Sequence, residues 1–108
     1  MNFAITTTHD GPKTVWHPAG ELDIATVPVL ERALFASFED GGVVVLDLSQ
    51  VSFCDSTGVH LLVRASRHAQ GHGVGFTIVS PSAEVSRLLG LCGLLDVLPI
   101  GMQLPSGL

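Results

Sequence analysis

Val43-Val44-Val45-Leu46-Asp47-Leu48-Ser49, followed after five intervening residues by Asp55-Ser56-Thr57-Gly58, decides the fold of this chain. The first stretch is a short, nearly continuous apolar run rich in β-branched residues. Such a run reads as an interior strand of a parallel sheet, buried on both faces. The second opens a segment with helical spacing over residues 59–70. Its inward stripe reads as Val59, Leu62, Val63 and Ser66, and its outward stripe as His60, Arg64, Arg67 and His68. Gly71 and Gly73 close it. A strand that runs into a helix through Asp-Ser-Thr-Gly places the Ser56 hydroxyl at a helix N-terminus. Backbone N–H groups are unpaired there and the macrodipole is positive. A hydroxyl so held can carry a phosphate without breaking the helix, which suits a switch better than an enzyme.

Outward from this centre, strands and helices alternate. Residues 3–8 and 14–18 read as an antiparallel pair joined by a turn at Asp10-Gly11-Pro12. Gly20-Glu21-Leu22-Asp23 reads as a loop. Thr26 is the expected N-cap of a first helix, with Pro28 in its first turn. Val27, Leu30, Leu34 and Phe38 follow at helical spacing, and Gly41-Gly42 stop the helix. Beyond the second helix, residues 76–79 read as a strand. Ser80 before Pro81 is the expected cap of a third helix carrying Val85, Leu88, Leu89 and Cys92. Gly93 ends that helix, residues 97–100 read as a last strand, and residues 101–108 as a loose tail. The order β-β-α-β-α-β-α-β predicts an α/β fold. Its sheet is small, mixed and mostly parallel, of about five strands, with helices packed on one face.

A chain of 108 residues fits a single domain, residues 1–108, with its core over about residues 3–100. A hydrophobic content of 46% excludes disorder. No apolar run approaches the roughly 18 residues of a membrane span. Met1-Asn2-Phe3-Ala4-Ile5 lacks the basic-then-apolar order of a secretion signal, so a cytoplasmic protein is expected. The formal charge is −5, with the acidic excess in residues 1–54. Five basic side chains make no footprint for nucleic acid, and a protein partner is expected instead. A monomer is expected, because the core stripes account for the hydrophobic residues.

The catalytic motifs tested against this sequence do not assemble. Cys54 and Cys92 lack CxxC spacing and read as free thiols. His68 and His72 have Gly71 between them and no third ligand nearby, so no metal is expected. Ser56 lies outside G-x-S-x-G because position 54 is cysteine. Asp55-Ser56-Thr57-Gly58 has no second copy to complete a carboxylate dyad. Gly71, Gly73 and Gly75 precede a strand rather than follow one, so they form no dinucleotide loop. The reading is of a protein that is not an enzyme and takes no cofactor.

Gly20-Glu21-Leu22-Asp23, the block from Val45 through Val59 with Asp55-Ser56-Thr57-Gly58 at its centre, and Ile78-Val79-Ser80-Pro81 with Val85, Arg87, Leu88, Leu89 and Cys92-Gly93-Leu94 resemble the STAS domain family. Within it they resemble the bacterial anti-sigma factor antagonists, over about residues 3–100. Thr57 stands where many members carry a second serine, and the tail 103–108 lacks the final helix many members have. The resemblance implies an antagonist that, unphosphorylated, binds an anti-sigma factor with serine/threonine kinase activity and so releases a sigma factor. It implies phosphorylation of Ser56, with Thr57 the less favoured acceptor, and reversal by a PP2C-type phosphatase. The implied partner surface is Asp23, Asp55, Ser56, Thr57, Gly58 and His60.

Plainer readings stand beside these. Ser56 could serve only as an N-cap, although Val59 leaves no capping box. Asp23 and Asp55 could be turn carboxylates, and Asp47 a strand-end residue with a hydrogen-bonded side chain. The competing functions are a non-switching STAS module, as scaffold or cytoplasmic transport-system subunit, and a small-ligand sensor.

Overall fold

The computed structural model describes residues 3–101. Strands β1 (Phe3–Asp10) and β2 (Lys13–Leu22) form the expected antiparallel hairpin. Its turn is Gly11-Pro12, and Gly11 has φ +60°, a conformation glycine adopts without a Cβ penalty. Strand β2 then runs on to Leu22, so Gly20, Glu21 and Leu22 are strand and not the expected loop. The reason is a second partner. Strand β3 (Val43–Asp47) pairs in parallel with residues 13–16, and β4 (Gln50–Cys54) pairs in parallel with residues 19–22, past a register shift at Gly20/Glu21.

The expected strands do not include β4, which makes six strands among the described residues instead of about five. The apolar run breaks at Leu48-Ser49. There Asp47 Oδ1 accepts the Ser49 N–H at 2.9 Å, and Leu48 O accepts the Val51 N–H at 3.3 Å. Strand β5 (Gly75–Val79) pairs with β3, and β6 (Ile100–Gly101) with β5, both in parallel. The sheet order is β1-β2-β3-β5-β6, with β4 on β2. The last strand was expected over 97–100, but Leu94 O accepts the N–H groups of Val97 and Leu98 and holds them in a turn. Gly101 is strand rather than tail; residues 102–108 of the expected tail lie outside the described residues.

Three helices contribute to one core: α1 (Val27–Glu39), α2 (Ser56–Gly71) and α3 (Ala83–Leu91). Thr26 is the N-cap of α1 by position, but its side chain makes no capping bond. Its hydroxyl donates to Glu21 O at 2.8 Å and accepts the Asp23 N–H at 2.9 Å, pinning the loop before the helix. Ser82, not Ser80, caps α3, accepting the Val85 N–H at 3.3 Å. Ser80 has φ +50° and precedes the helix by three residues.

The core holds Leu22, Leu30, Leu34, Leu46, Leu61, Leu62, Ile78 and Leu89, all fully buried. Each such side chain contributes roughly 1.5–3 kcal/mol over leaving it in water. The inner stripe of α2 is Val59, Leu61, Leu62, Ala65 and Ala69; Val63 and Ser66 are half-buried. The stripe is rotated from the expected one because α2 packs on α1 as well as on the sheet. For the same reason His68 is half-buried, its ring centroid 4.7 Å from that of Phe35 and 5.6 Å from Phe38. Arg64 reaches Glu31 of α1 as an ion pair.

His17 Nδ1 donates to Asp47 Oδ2 at 3.0 Å, joining β2 to β3, and Thr8 Oγ1 lies 3.2 Å from His17 Nε2. Burial pushes the Asp47 carboxyl up. Hydrogen bonds from Ser49 and His17 outweigh that and hold it below the ordinary aspartate value. A carboxyl lowered on folding stabilises the native state above its unfolded pKa of about 3.9, and the gain fades as pH falls through the lower folded value. Urea midpoints at pH 7 and pH 3 should therefore show wild type losing more stability on acidification than Asp47→Asn. Equal losses would remove Asp47 from the acid response.

Candidate functional site

Strands β2 and β4 run parallel and end in register, Leu22 beside Cys54. Their next residues, Asp23 and Asp55, therefore leave the sheet side by side. The Asp55 N–H donates to Leu22 O at 3.2 Å and fastens the start of α2 to the end of β2. Asp55 is the N-cap of α2, with extended backbone at φ −104° and ψ −172°. Its Oδ1 accepts the Thr57 N–H at 2.9 Å, the Gly58 N–H at 3.4 Å and the Thr57 hydroxyl. These bonds satisfy helix-end donors that would otherwise be unpaired. The Thr57 hydroxyl bond is the strongest influence holding the Asp55 carboxyl below its ordinary range. Burial opposes it, and the Gly58 and Thr57 N–H groups reinforce it.

Ser56 is the first residue of α2 and is exposed. Its hydroxyl makes no hydrogen bond to any described residue. The reading of Ser56 as the N-cap is thus overturned: the carboxylate one residue earlier reaches the N–H groups. Two hydroxyls lie next to each other in sequence, and Thr57 is held while Ser56 is free.

Gly58 is buried in the first turn of α2. A Cβ there would come 2.5 Å from Cys54 Sγ and 3.1 Å from Leu22 Cδ2. Only glycine lets the helix start this close to the ends of β2 and β4. Gly58 is thus a packing residue of this junction, buried and without a side chain. Cys54 is half-buried and unbridged. Burial, with smaller contributions from Asp55 and Cys92, pushes its thiol up to about 11, so it stays protonated near neutral pH.

Asp23 turns its carboxylate back on its own loop. Oδ1 accepts the Ala25 N–H at 2.9 Å and the Thr26 N–H at 3.2 Å. The half-buried side chain therefore shapes the loop that presents Ile24, which is 76% exposed. His60 is exposed on α2 one turn after Ser56, a spacing that puts the two on one helix face. Asp23, Asp55, Ser56, Thr57 and Gly58 are thus brought together at one end of the sheet, with His60 on the adjoining helix surface.

Apolar surface near this end was missed by the sequence reading. Phe53, Cys54, Leu88 and Leu91 line a shallow groove of about 150 Å³ with Glu84 and Arg87. Leu91 is 77% and Phe53 47% exposed. The core stripes therefore do not account for all the hydrophobic residues, and that argument for a monomer fails. A signal was present: Leu88, Leu89 and Leu91 lie within four positions, more than one narrow stripe of a short helix can bury.

Residues 4–106 match the family model of the STAS domain. An anti-sigma-B factor antagonist of Staphylococcus epidermidis is 35% identical, over 93% of this chain and 94% of that one. Its counterpart in Bacillus subtilis (strain 168) is 30% identical, over 82% of each chain. The crystal structure of an anti-sigma factor antagonist from Mycobacterium paratuberculosis superimposes with a TM-score of 0.80 at 29% identity. The match covers 91% of this chain and 84% of that one.

Two glycines of α2 should respond oppositely to alanine. Gly58→Ala is expected to destabilise by about 1–3 kcal/mol through overpacking against Leu22 and Cys54. Gly71→Ala, with open space around its Cβ, should be neutral or stabilising by up to about 1 kcal/mol. Denaturant melts decide it; equal stability of the two variants would contradict the close approach at Gly58.

Proposed function

This chain belongs to the STAS domain family, and we propose that it is an anti-sigma factor antagonist switched by phosphorylation of Ser56. The observation that carries the reading is the free, exposed Ser56 hydroxyl at the N-terminus of α2. In this reading the unphosphorylated chain, acting as a single domain in the cytoplasm, binds an anti-sigma factor with serine/threonine kinase activity. Binding releases the sigma factor. The kinase then modifies Ser56 and lets go, and a PP2C-type phosphatase restores the hydroxyl. Asp23 shapes the loop beside the acceptor, Asp55 caps the helix, and Ile24 and His60 flank it on the surface offered to the partner.

Electrostatics says where such a switch acts. Phosphorylation adds roughly −1.5 to −2 charges near neutral pH. The helix N-terminus favours a negative charge by about 0.3–1 kcal/mol, and the Asp55 carboxylate next in sequence opposes it. The two effects are small and opposite, so the domain keeps its fold. At an interface the balance differs. Enclosing a dianion against a partner without new cationic ligands costs several kcal/mol. About 2.7 kcal/mol weakens binding a hundredfold.

Ser56→Ala should therefore fold normally and hold the anti-sigma factor constitutively. Ser56→Asp should fold normally and bind about tenfold to a hundredfold more weakly. Affinities measured calorimetrically on variants with matching circular dichroism spectra test this; equal affinity across wild type, Ala and Asp would sink the switch.

A further inference from the structure

Asp-Ser-Thr-Gly offers a kinase two adjacent hydroxyls, and the geometry distinguishes them. Thr57 Oγ–H is donated to Asp55 Oδ1, the oxygen that also accepts the Thr57 and Gly58 N–H groups. The threonine is thereby held by both its backbone and its side chain, and it is half-buried. Ser56 has neither restraint. We propose that Asp55 is the residue that selects the phosphoacceptor, by sequestering the Thr57 hydroxyl and leaving Ser56 as the available one. The inference rests on the switch proposed above and adds the determinant of its site.

The chemistry gives the selection two sources. In phosphoryl transfer a seryl oxygen attacks the γ-phosphorus of the kinase's nucleoside triphosphate. The bond to the departing diphosphate oxygen breaks, and the hydroxyl proton passes to a base of the kinase. For Thr57 to react, its oxygen must first leave Asp55 and turn outward, losing a charge-assisted hydrogen bond. The product would then set a phosphate against the carboxylate that had accepted that bond, so like charges face each other at close range. At Ser56 no bond is lost, and the residue is exposed. Asp55 is a positioning residue in this scheme, since it acts through Thr57 and touches no nucleotide.

Ser56→Ala isolates the second hydroxyl, and substitutions of Asp55 then test its guard. Asp55→Gly removes the acceptor while leaving a tolerated N-cap; Asp55→Asn keeps an acceptor oxygen. Each folded variant is incubated with the host's kinase-type anti-sigma factor and nucleoside triphosphate, and phosphate is located by tandem mass spectrometry. Wild type should carry phosphate on Ser56 alone, and Ser56→Ala should take phosphate on Thr57 only slowly. Ser56→Ala/Asp55→Gly should gain Thr57 phosphate at least about tenfold faster than Ser56→Ala, the worth of one hydrogen bond to a charged group. Ser56→Ala/Asp55→Asn should stay close to Ser56→Ala.

Side-chain three-bond couplings provide a readout independent of the kinase: a single Thr57 χ1 rotamer in wild type, and averaging in Asp55→Gly. Rapid Thr57 phosphorylation in Ser56→Ala with Asp55 intact would overturn the proposal. So would equal Thr57 rates in Ser56→Ala and Ser56→Ala/Asp55→Gly, or a Thr57 rotamer already averaged in wild type. Wild type that takes no phosphate at all would bring down the switch itself, an outcome separate from these.

Discussion

One backbone hydrogen bond organises this end of the molecule: the Asp55 N–H to the carbonyl of Leu22. It extends the parallel pairing of β2 with β4 by one step and stops where the sheet stops. Everything after it on both strands leaves the sheet from adjacent points. The Asp23 loop and the N-terminus of α2 become neighbours because the backbone is paired there. Gly58 is what allows it. A side chain at that position would push α2 off Leu22 and Cys54, and the cap and both hydroxyls would move with it.

Around this junction the polar groups divide the work. Thr26 ties Glu21 to Asp23, Asp23 ties its own loop to Ala25 and Thr26, and Asp55 ties the first turn of α2. Each carboxylate serves nearby backbone N–H groups, so each is a structural group before it is a recognition group. What is left for a partner is what these bonds do not consume: the Ser56 hydroxyl, the His60 ring, and the exposed apolar side chains of Ile24, Phe53 and Leu91. Exposed apolar anchors beside a polar hydroxyl and imidazole suit a protein partner, since buried apolar contacts supply affinity while polar groups tune specificity.

The strand-helix framework was legible because periodicity reports burial. The apolar run at 43–48 and the stripe of α1 marked their elements well, and two of the three STAS-like blocks lie at the junction, the third on β5 and α3. Strand β4 was not legible. Ser49, Gln50 and Ser52 break the apolar run, and the pairing of residues 50–54 with the second half of β2 makes them a strand. The same pairing turned Gly20, Glu21 and Leu22 from loop into strand. The place of His68 depends on α1 lying beside α2, a contact between helices that no window of sequence contains.

By itself, then, the sequence determined the alternation of helices with strands, the buried stripe of α1, and the position of Asp55-Ser56-Thr57-Gly58 at a strand-to-helix turn. These follow from spacing and from residue types with strong local preferences. Only the tertiary structure decided which residue caps α2, which of two adjacent hydroxyls is free, and why position 58 is glycine. A carboxylate, a serine and a threonine in a row can each cap a helix, and composition does not rank them. The backbone at Asp55, held extended by its bond to Leu22, aims one carboxylate oxygen at the first turn. Hydrogen bonds are directional and short in reach, so that orientation settles the competition in favour of Asp55 and Thr57 and leaves Ser56 to solvent.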